Sequence, residues 1–174
     1  SGCMKGVDLL IFGATRNTGL SIARLAVGKG ERVAAMARKE SDVSSLKMLG
    51  VTVVRGDAFE VHDCWQTLNE TRPRRVISLM GGKNAQGRRV CGEGNINVVR
   101  ALEGGEPVER FLLVTSMGCG EQYEALNDNV KKFLGEALQA KTEAENYLKK
   151  SGLPWTIVRP GGLNYEPASG NFCL

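Results

Sequence analysis

Three short stretches hold residue types that could do chemistry. Residues 9–25, LLIFGATRNTGLSIARL, run from an apolar stretch through a glycine turn into a helix start. Gly13 suits a sharp exit from a strand, and Gly19 suits close packing of the next helix on that strand. A helix amino terminus offers free N–H groups and the positive end of a dipole, so such a turn suits a phosphate. The middle glycine of the usual dinucleotide signature falls at Arg16. A Walker-type phosphate loop is a poorer fit, because no Gly-Lys-Ser/Thr follows at its spacing. The alternative is an ordinary strand–helix turn.

The second stretch is MARKE, residues 36–40. An NAD site commonly places Asp or Glu here for the ribose hydroxyls, whereas a 2′-phosphate needs positive charge. The chain offers Arg38 and Lys39, with no acid until Glu40. The planar fork of arginine grips phosphate in two places. Both cations are therefore candidate cofactor residues, and NADP(H) is favoured over NAD(H). The alternative is two solvated surface cations.

The third is a long helical pattern from about Asn129 to Ser151. Val130, Phe133, Leu134, Ala137 and Leu138 follow the spacing of a buried face, and the phase continues through Lys141, Ala144 and Leu148. Lys141 interrupts this stripe with a charge. A buried ammonium is costly without partners, so it should meet oxygen atoms, such as cofactor ribose hydroxyls. Otherwise it snorkels to the helix edge.

The elements that must position these residues alternate along the chain. Strand-like runs are VDLLIFG (7–13), ERVAAMA (31–37), VTVV (51–54), RVISLM (75–80), RFLLVTS (110–116) and PWTIVR (154–159). Helical patterns follow the first run to about Gly28, with Ile22, Leu25 and Ala26 at helical spacing. They recur over 41–49 from a Ser41 cap to Gly50, and over 95–102. Six strands separated by helices predict an α/β, Rossmann-like, doubly wound parallel sheet in the order 3-2-1-4-5-6, as one domain over 1–174. Ligands of such a sheet sit beyond the carboxyl ends of the strands. Those ends carry Gly13-Ala14-Thr15, Arg38-Lys39, Gly56-Asp57-Ala58, Gly81-Gly82, Thr115-Ser116 and Pro160-Gly161-Gly162.

Composition narrows the classes. The 174 residues are 42% hydrophobic and 24% charged, with a net charge of +4. That balance weakly favours an anionic ligand, and no basic stripe interleaved with aromatics supports nucleic-acid binding. No apolar run is long enough to span a membrane, and no secretory signal is expected. The five cysteines (Cys3, Cys64, Cys91, Cys119, Cys173) form no Cys-x-x-Cys pair, and His62 is the one histidine. No metal site is expected, and a reducing, cytoplasmic setting is.

Together these residues resemble the short-chain dehydrogenase/reductase superfamily, in its atypical branch of NmrA-like, NAD(P)H-binding proteins and biliverdin IXβ/flavin reductases. IFGATRNTG resembles the GATGxxG turn of that branch, and VRGDAFE its adenine-side Gly-Asp motif. RFLLVTSMG, KTEAENYLKKSGLPWTIVRPGGL and the Gly81-Gly82 turn are similar in order and spacing, so the resemblance covers nearly the whole chain. It implies that Gly13, Thr15, Arg16, Asn17, Thr18 and Gly19 line the pyrophosphate turn, that Arg38 binds the 2′-phosphate, and that Asp57 and Ala58 flank adenine. It implies that Gly81 and Gly82 pass beside the central ribose and phosphates, and that Ser116 sits near the nicotinamide. Lys141 then binds the nicotinamide ribose, and Pro160, Gly161, Gly162 and Leu163 border the nicotinamide and substrate. Ser116 and Lys141 are the candidate catalytic residues.

Two departures stand out. The superfamily commonly uses a Tyr-x-x-x-Lys pair, but the tyrosine position is Ala137 here. Tyr123 lies in a loop that could reach the pocket or be a surface tyrosine, while Tyr147 is off the Lys141 face. Family members also continue further past the Arg-Pro-Gly-Gly segment, so the substrate-side elements are expected to be short or missing. The substrate side is then minimal, or completed by a partner, or the chain is a truncated form. The leading expectation is an NADPH-dependent reductase sending hydride to a planar conjugated small-molecule acceptor: a flavin, quinone or tetrapyrrole. The alternative is a non-catalytic NADP(H)-sensing module with a regulatory protein partner. An epimerase ranks last, since that chemistry leans on the missing tyrosine. Arg16 is expected to help Arg38 at the 2′-phosphate end, with its backbone in a conformation open to non-glycine residues.

Overall fold

Continuous apolar strands need cover on both faces. In the computed structural model of the chain, which describes residues 6–161, they have it. β1 (Leu9–Phe12), β2 (Val33–Ala37), β3 (Thr52–Arg55), β4 (Arg75–Ser78), β5 (Arg110–Val114) and β6 (Trp155–Val158) form one sheet in the order 3-2-1-4-5-6. Every pairing is parallel. With helices on both faces, this is the expected Rossmann-like α/β arrangement.

The helices are α1 (Asn17–Gly28), α2 (Ser44–Met48), α3 (Val61–Thr71), α4 (Asn95–Glu103) and α5 (Asp128–Lys149). A π-helical turn over Val90–Gly94 runs into α4, and a 3-10 helix covers Gly120–Ala125. The alternation of strand side chains divides the core in two. Leu9, Ile11, Val33, Ala35 and Ala37 face Ala23 and Ala26 of α1 and Leu46 of α2. Leu10, Phe12, Val76, Phe111 and Leu113 face Leu68 of α3, Val98 and Leu102 of α4, and Leu148 of α5.

Four details differ from the sequence reading. α2 starts at Ser44, not Ser41, because the Asp42 carboxylate accepts from both the Ser44 N–H (2.9 Å) and its hydroxyl (2.7 Å). α3 was not expected from the sequence. Its buried side is mixed, Cys64, Thr67, Leu68 and Thr71, with both threonine hydroxyls donating to the carbonyl one turn back. In α1, Leu25 is 66% exposed, and the buried residues are Gly19, Ala23 and Ala26. In α5, Phe133 is 79% exposed and Leu134 53%, so the expected stripe does not begin there. The buried residues are Gly135, Leu138, Ala144, Glu145 and Leu148. Gly135 sets this phase, because a Cβ there would stand 3.1 Å from the Tyr123 hydroxyl that packs over it. Among the described residues, no helix is long and apolar enough to cross a membrane.

Candidate functional site

All six strands point their carboxyl ends to one edge, and the candidate residues gather there because each follows a strand or faces one. At the exit of β1, Gly13 has φ +93°, and a Cβ on it would lie 2.9 Å from the Leu79 carbonyl carbon. A Cβ on Gly19 would lie 1.8 Å from the Gly13 carbonyl oxygen, so α1 touches the turn backbone directly. Thr15 is half-buried, while Arg16, Asn17 and Thr18 are exposed. Arg16 is the residue before the helix and is extended, with φ −155°. Its side chain has no acceptor atom, and no side chain caps the first turn of α1 among the described residues. Those N–H groups remain available to an anion.

Arg38 and Lys39 follow β2 and are exposed, and neither forms an ion pair among the described residues. After β3, the Asp57 N–H donates to the Asp63 carboxylate (2.9 Å), and the Asp57 carboxylate accepts from the Phe59 N–H (2.9 Å). Ala58 is buried, and its carbonyl accepts from the Asn97 amide (2.9 Å). This loop is thereby fastened to α3 and α4. After β4, Gly81 and Gly82 are exposed, and a Cβ on either would meet nothing within 4 Å. Such a bare, open backbone leaves room for a ligand to approach closely.

The second half of the edge carries Ser116 and Lys141. Ser116 follows β5 and is half-buried. Lys141 reaches it from α5, with Nζ donating to the serine Oγ at 3.5 Å. An ammonium only donates, so that Oγ accepts and the serine O–H is left to donate elsewhere. The buried Cys119 sulfur is 3.7 Å away and is one acceptor for it. Burial pushes the nearby Cys91 thiol above the ordinary range, against the pull of the Lys141 charge. Pro160 is half-buried and Gly161 exposed at the end of β6, whereas Gly162 and Leu163 lie outside the described residues. Tyr123 does not join this group. Its hydroxyl accepts from the Gln139 amide at 3.4 Å, on the side of α5 that carries Gly135. Ala137 is half-buried and offers no hydroxyl in place of the absent tyrosine.

An ion network that the sequence reading missed holds these elements together. Glu145 is fully buried, one turn beyond Lys141 on α5. Its carboxylate accepts from the Thr115 hydroxyl (2.7 Å) and from Arg159 Nε (2.9 Å) and Nη2 (2.7 Å). Arg159 also donates to Glu121 at 2.7 and 3.2 Å. The ends of β5 and β6, the 3-10 helix and α5 thus meet on one guanidinium. Its bonds drive the Glu121 carboxyl down to about 2 and raise the Arg159 value further above its ordinary one. The available signal was an acid four residues after Lys141 in the same apolar stripe, open to the argument made for Lys141. A second missed residue is Gly92, where a Cβ would lie 3.0 Å from Ala140. Its bareness lets the turn before α4 press against α5 beside Lys141.

A family model described as NAD(P)H-binding matches residues 13–174. The chain belongs to that family. This NAD(P)H-binding chain is 32% identical to an uncharacterized chloroplastic protein of Arabidopsis thaliana, over 98% of its own length and 64% of the relative's. It therefore spans less than two thirds of that relative. The solved structure of ChuY, an anaerobilin reductase from Escherichia coli O157:H7, matches with a TM-score of 0.78 at 30% identity, over 89% of this chain and 73% of that one. The Bordetella bronchiseptica enzyme WbmH in complex with NAD+ matches with a TM-score of 0.71 at 20% identity, over 89% and 56%. At that identity the likeness is one of fold. These neighbours bear out the atypical short-chain dehydrogenase/reductase reading. The residues of this chain fit an NAD(P)H: an uncapped helix terminus at a glycine turn, exposed cations beside it, and a bare backbone at Gly81-Gly82.

Proposed function

We propose that the protein is an NADPH-dependent reductase acting on a planar, conjugated acceptor such as a flavin, quinone or tetrapyrrole. The observation that carries this reading is the Lys141–Ser116 contact at 3.5 Å, with Ala137 where a tyrosine would donate a proton. The bound nicotinamide supplies a hydride. Gly13, Thr15, Arg16, Asn17, Thr18, Gly19, Gly81 and Gly82 would hold the pyrophosphate of the dinucleotide, Arg38 and Lys39 its 2′-phosphate, and Asp57 and Ala58 its adenine side. Lys141 holds the nicotinamide ribose, and Ser116 orients the acceptor beside Pro160 and Gly161. Holding the reactants in line is the main demand of such a transfer, and the final proton comes from water. The 30% identity to ChuY, itself a reductase, supports this reading.

NADPH absorbance followed with a panel of acceptors tests it. We expect oxidation above the acceptor-free rate with at least one of them. Lys141→Met should lower kcat/KM roughly 10- to 100-fold, the worth of one charge-assisted hydrogen bond. Arg38→Glu should abolish or reverse the preference for NADPH over NADH. No oxidation with any acceptor overturns the reductase reading and leaves the second one, a non-catalytic NADP(H) sensor. The exposed apolar side chains of Met117, Phe133 and Leu134 favour that second reading, since they offer a protein partner a surface. It requires a partner whose affinity changes with cofactor.

The compartment we propose is a reducing one, either the cytoplasm or a chloroplast like that of the Arabidopsis relative. Cys64, Cys91 and Cys119 are free thiols, which suits both.

A further inference from the structure

Arg55 is the last residue of β3 and pairs in register with Ala37, the last residue of β2. It therefore stands beside Arg38. Its Nη1 donates to the Arg38 carbonyl (2.6 Å) and to the Ser41 carbonyl (2.9 Å). Those two bonds use both hydrogens of that nitrogen. Nε and Nη2 carry three more, and they have no partner among the described residues. No acid forms an ion pair with Arg55 among the described residues. The Asp42 carboxylate is taken up by Ser44, the Asp57 carboxylate accepts from the Phe59 N–H, and Glu40 forms no ion pair among the described residues. Arg38, Lys39 and Arg55 are thus three exposed cations on adjacent strand ends, and none of them forms an ion pair among the described residues. An anion placed among such cations is attracted by each of them.

We propose that Arg55 is a specificity-determining residue for the 2′-phosphate of NADP(H). It ties down the backbone that carries Arg38 and Lys39, and it offers its remaining N–H donors to the same phosphate. The inference rests on the NADP(H) reading given above. Pinning the loop before the ligand arrives removes an ordering cost from binding. A guanidinium with free donors adds a charge-assisted bond that a ribose hydroxyl does not reward equally. The effect of Arg55 is therefore confined to the phosphorylated ligand.

Calorimetric titration of wild type, Arg55→Gln and Arg55→Lys with 2′,5′-ADP and with 5′-AMP separates the possibilities, because the two ligands differ only in the 2′-phosphate. Wild type is expected to bind 2′,5′-ADP more tightly. Arg55→Gln should weaken 2′,5′-ADP binding by about 10-fold or more, with 5′-AMP changed less than about 2-fold. Arg55→Lys, which keeps the charge and loses the fork, should fall between. A wild type that binds both ligands equally overturns the NADP(H) reading, and this inference with it. A wild-type preference that both variants keep overturns the role of Arg55 alone. An equal loss for both ligands makes Arg55 a merely structural residue, which also overturns the proposal.

Discussion

Arg16 occupies the place where a dinucleotide turn commonly has glycine, yet its φ of −155° is extended backbone that any residue adopts. The demand for a left-handed conformation falls one residue later, on Asn17, with φ +52°. Asparagine visits that region more readily than most residues because its short polar side chain bonds locally. The turn therefore tolerates Arg16 because Asn17 carries the unusual backbone angle. A β-branched side chain at 17 is a poor occupant of that region. Asn17→Val should cost roughly 1–2 kcal/mol, while Asn17→Gly should hold or raise stability. Thermal unfolding of the two variants measures this. An unchanged Tm for Asn17→Val would mean that the turn takes another shape in solution.

Among elements, α5 carries the most consequence, since it presents Lys141 to Ser116 and Glu145 to Arg159. Removing one partner of a buried ion pair leaves an uncompensated charge, at about 3–5 kcal/mol. Glu145→Ala should therefore unfold at much lower urea than wild type, whereas Glu145→Leu combined with Arg159→Met should recover much of the loss. If the double variant is no better than the single one, the pair is not the source of the cost. Glu121 makes a different contribution. Its carboxyl titrates at about 2 in the folded protein against 4.5 ordinarily, so its stabilisation is full above the ordinary value and is lost as pH falls toward about 2. Glu121→Gln should flatten that acid-side slope, read from urea midpoints between about pH 6 and about pH 3.

The same elements show what was legible in the sequence. The strands were, since residues buried on both faces read as apolar runs. α3 was not, because threonines that satisfy their own hydroxyls one turn back fill its buried side. The stripe of α5 was legible at Leu138, Ala144 and Leu148 but not at its start, where Phe133 and Leu134 are exposed, and Gly135 and Glu145, two of its buried positions, do not read as apolar. The gathering of Ser116 and Lys141 at the edge follows from strand ends and helix phase. The Arg159 and Arg55 contacts depend on pairings between strands and helices that spacing alone does not reveal.

Across the whole molecule, the sheet order divides the carboxyl edge between β1 and β4. The first half, from β1 to β3, carries the turn at Gly13 and the cations after β2. The second half, from β4 to β6, carries Gly81-Gly82, Ser116 and the helix with Lys141. A full dinucleotide would span both halves, while 2′,5′-ADP would touch only the first. Tm does not separate these cases. Any ligand that binds only the folded state stabilises the whole protein by RT ln(1 + [L]/Kd), about 2.7 kcal/mol at 100 Kd. Loops, however, open locally at lower cost than the sheet, so their amide exchange reports local contact. At equal saturation, 2′,5′-ADP should slow exchange in residues 13–19, 38–41 and 57–58, and NADP+ should also slow it in 79–84 and 116–120. Equal protection of the second half by 2′,5′-ADP would mean that the two halves close together when the adenosine end binds. In the proposed reductase, hydride transfer would then be gated by the phosphate end of the cofactor, far from the nicotinamide ring.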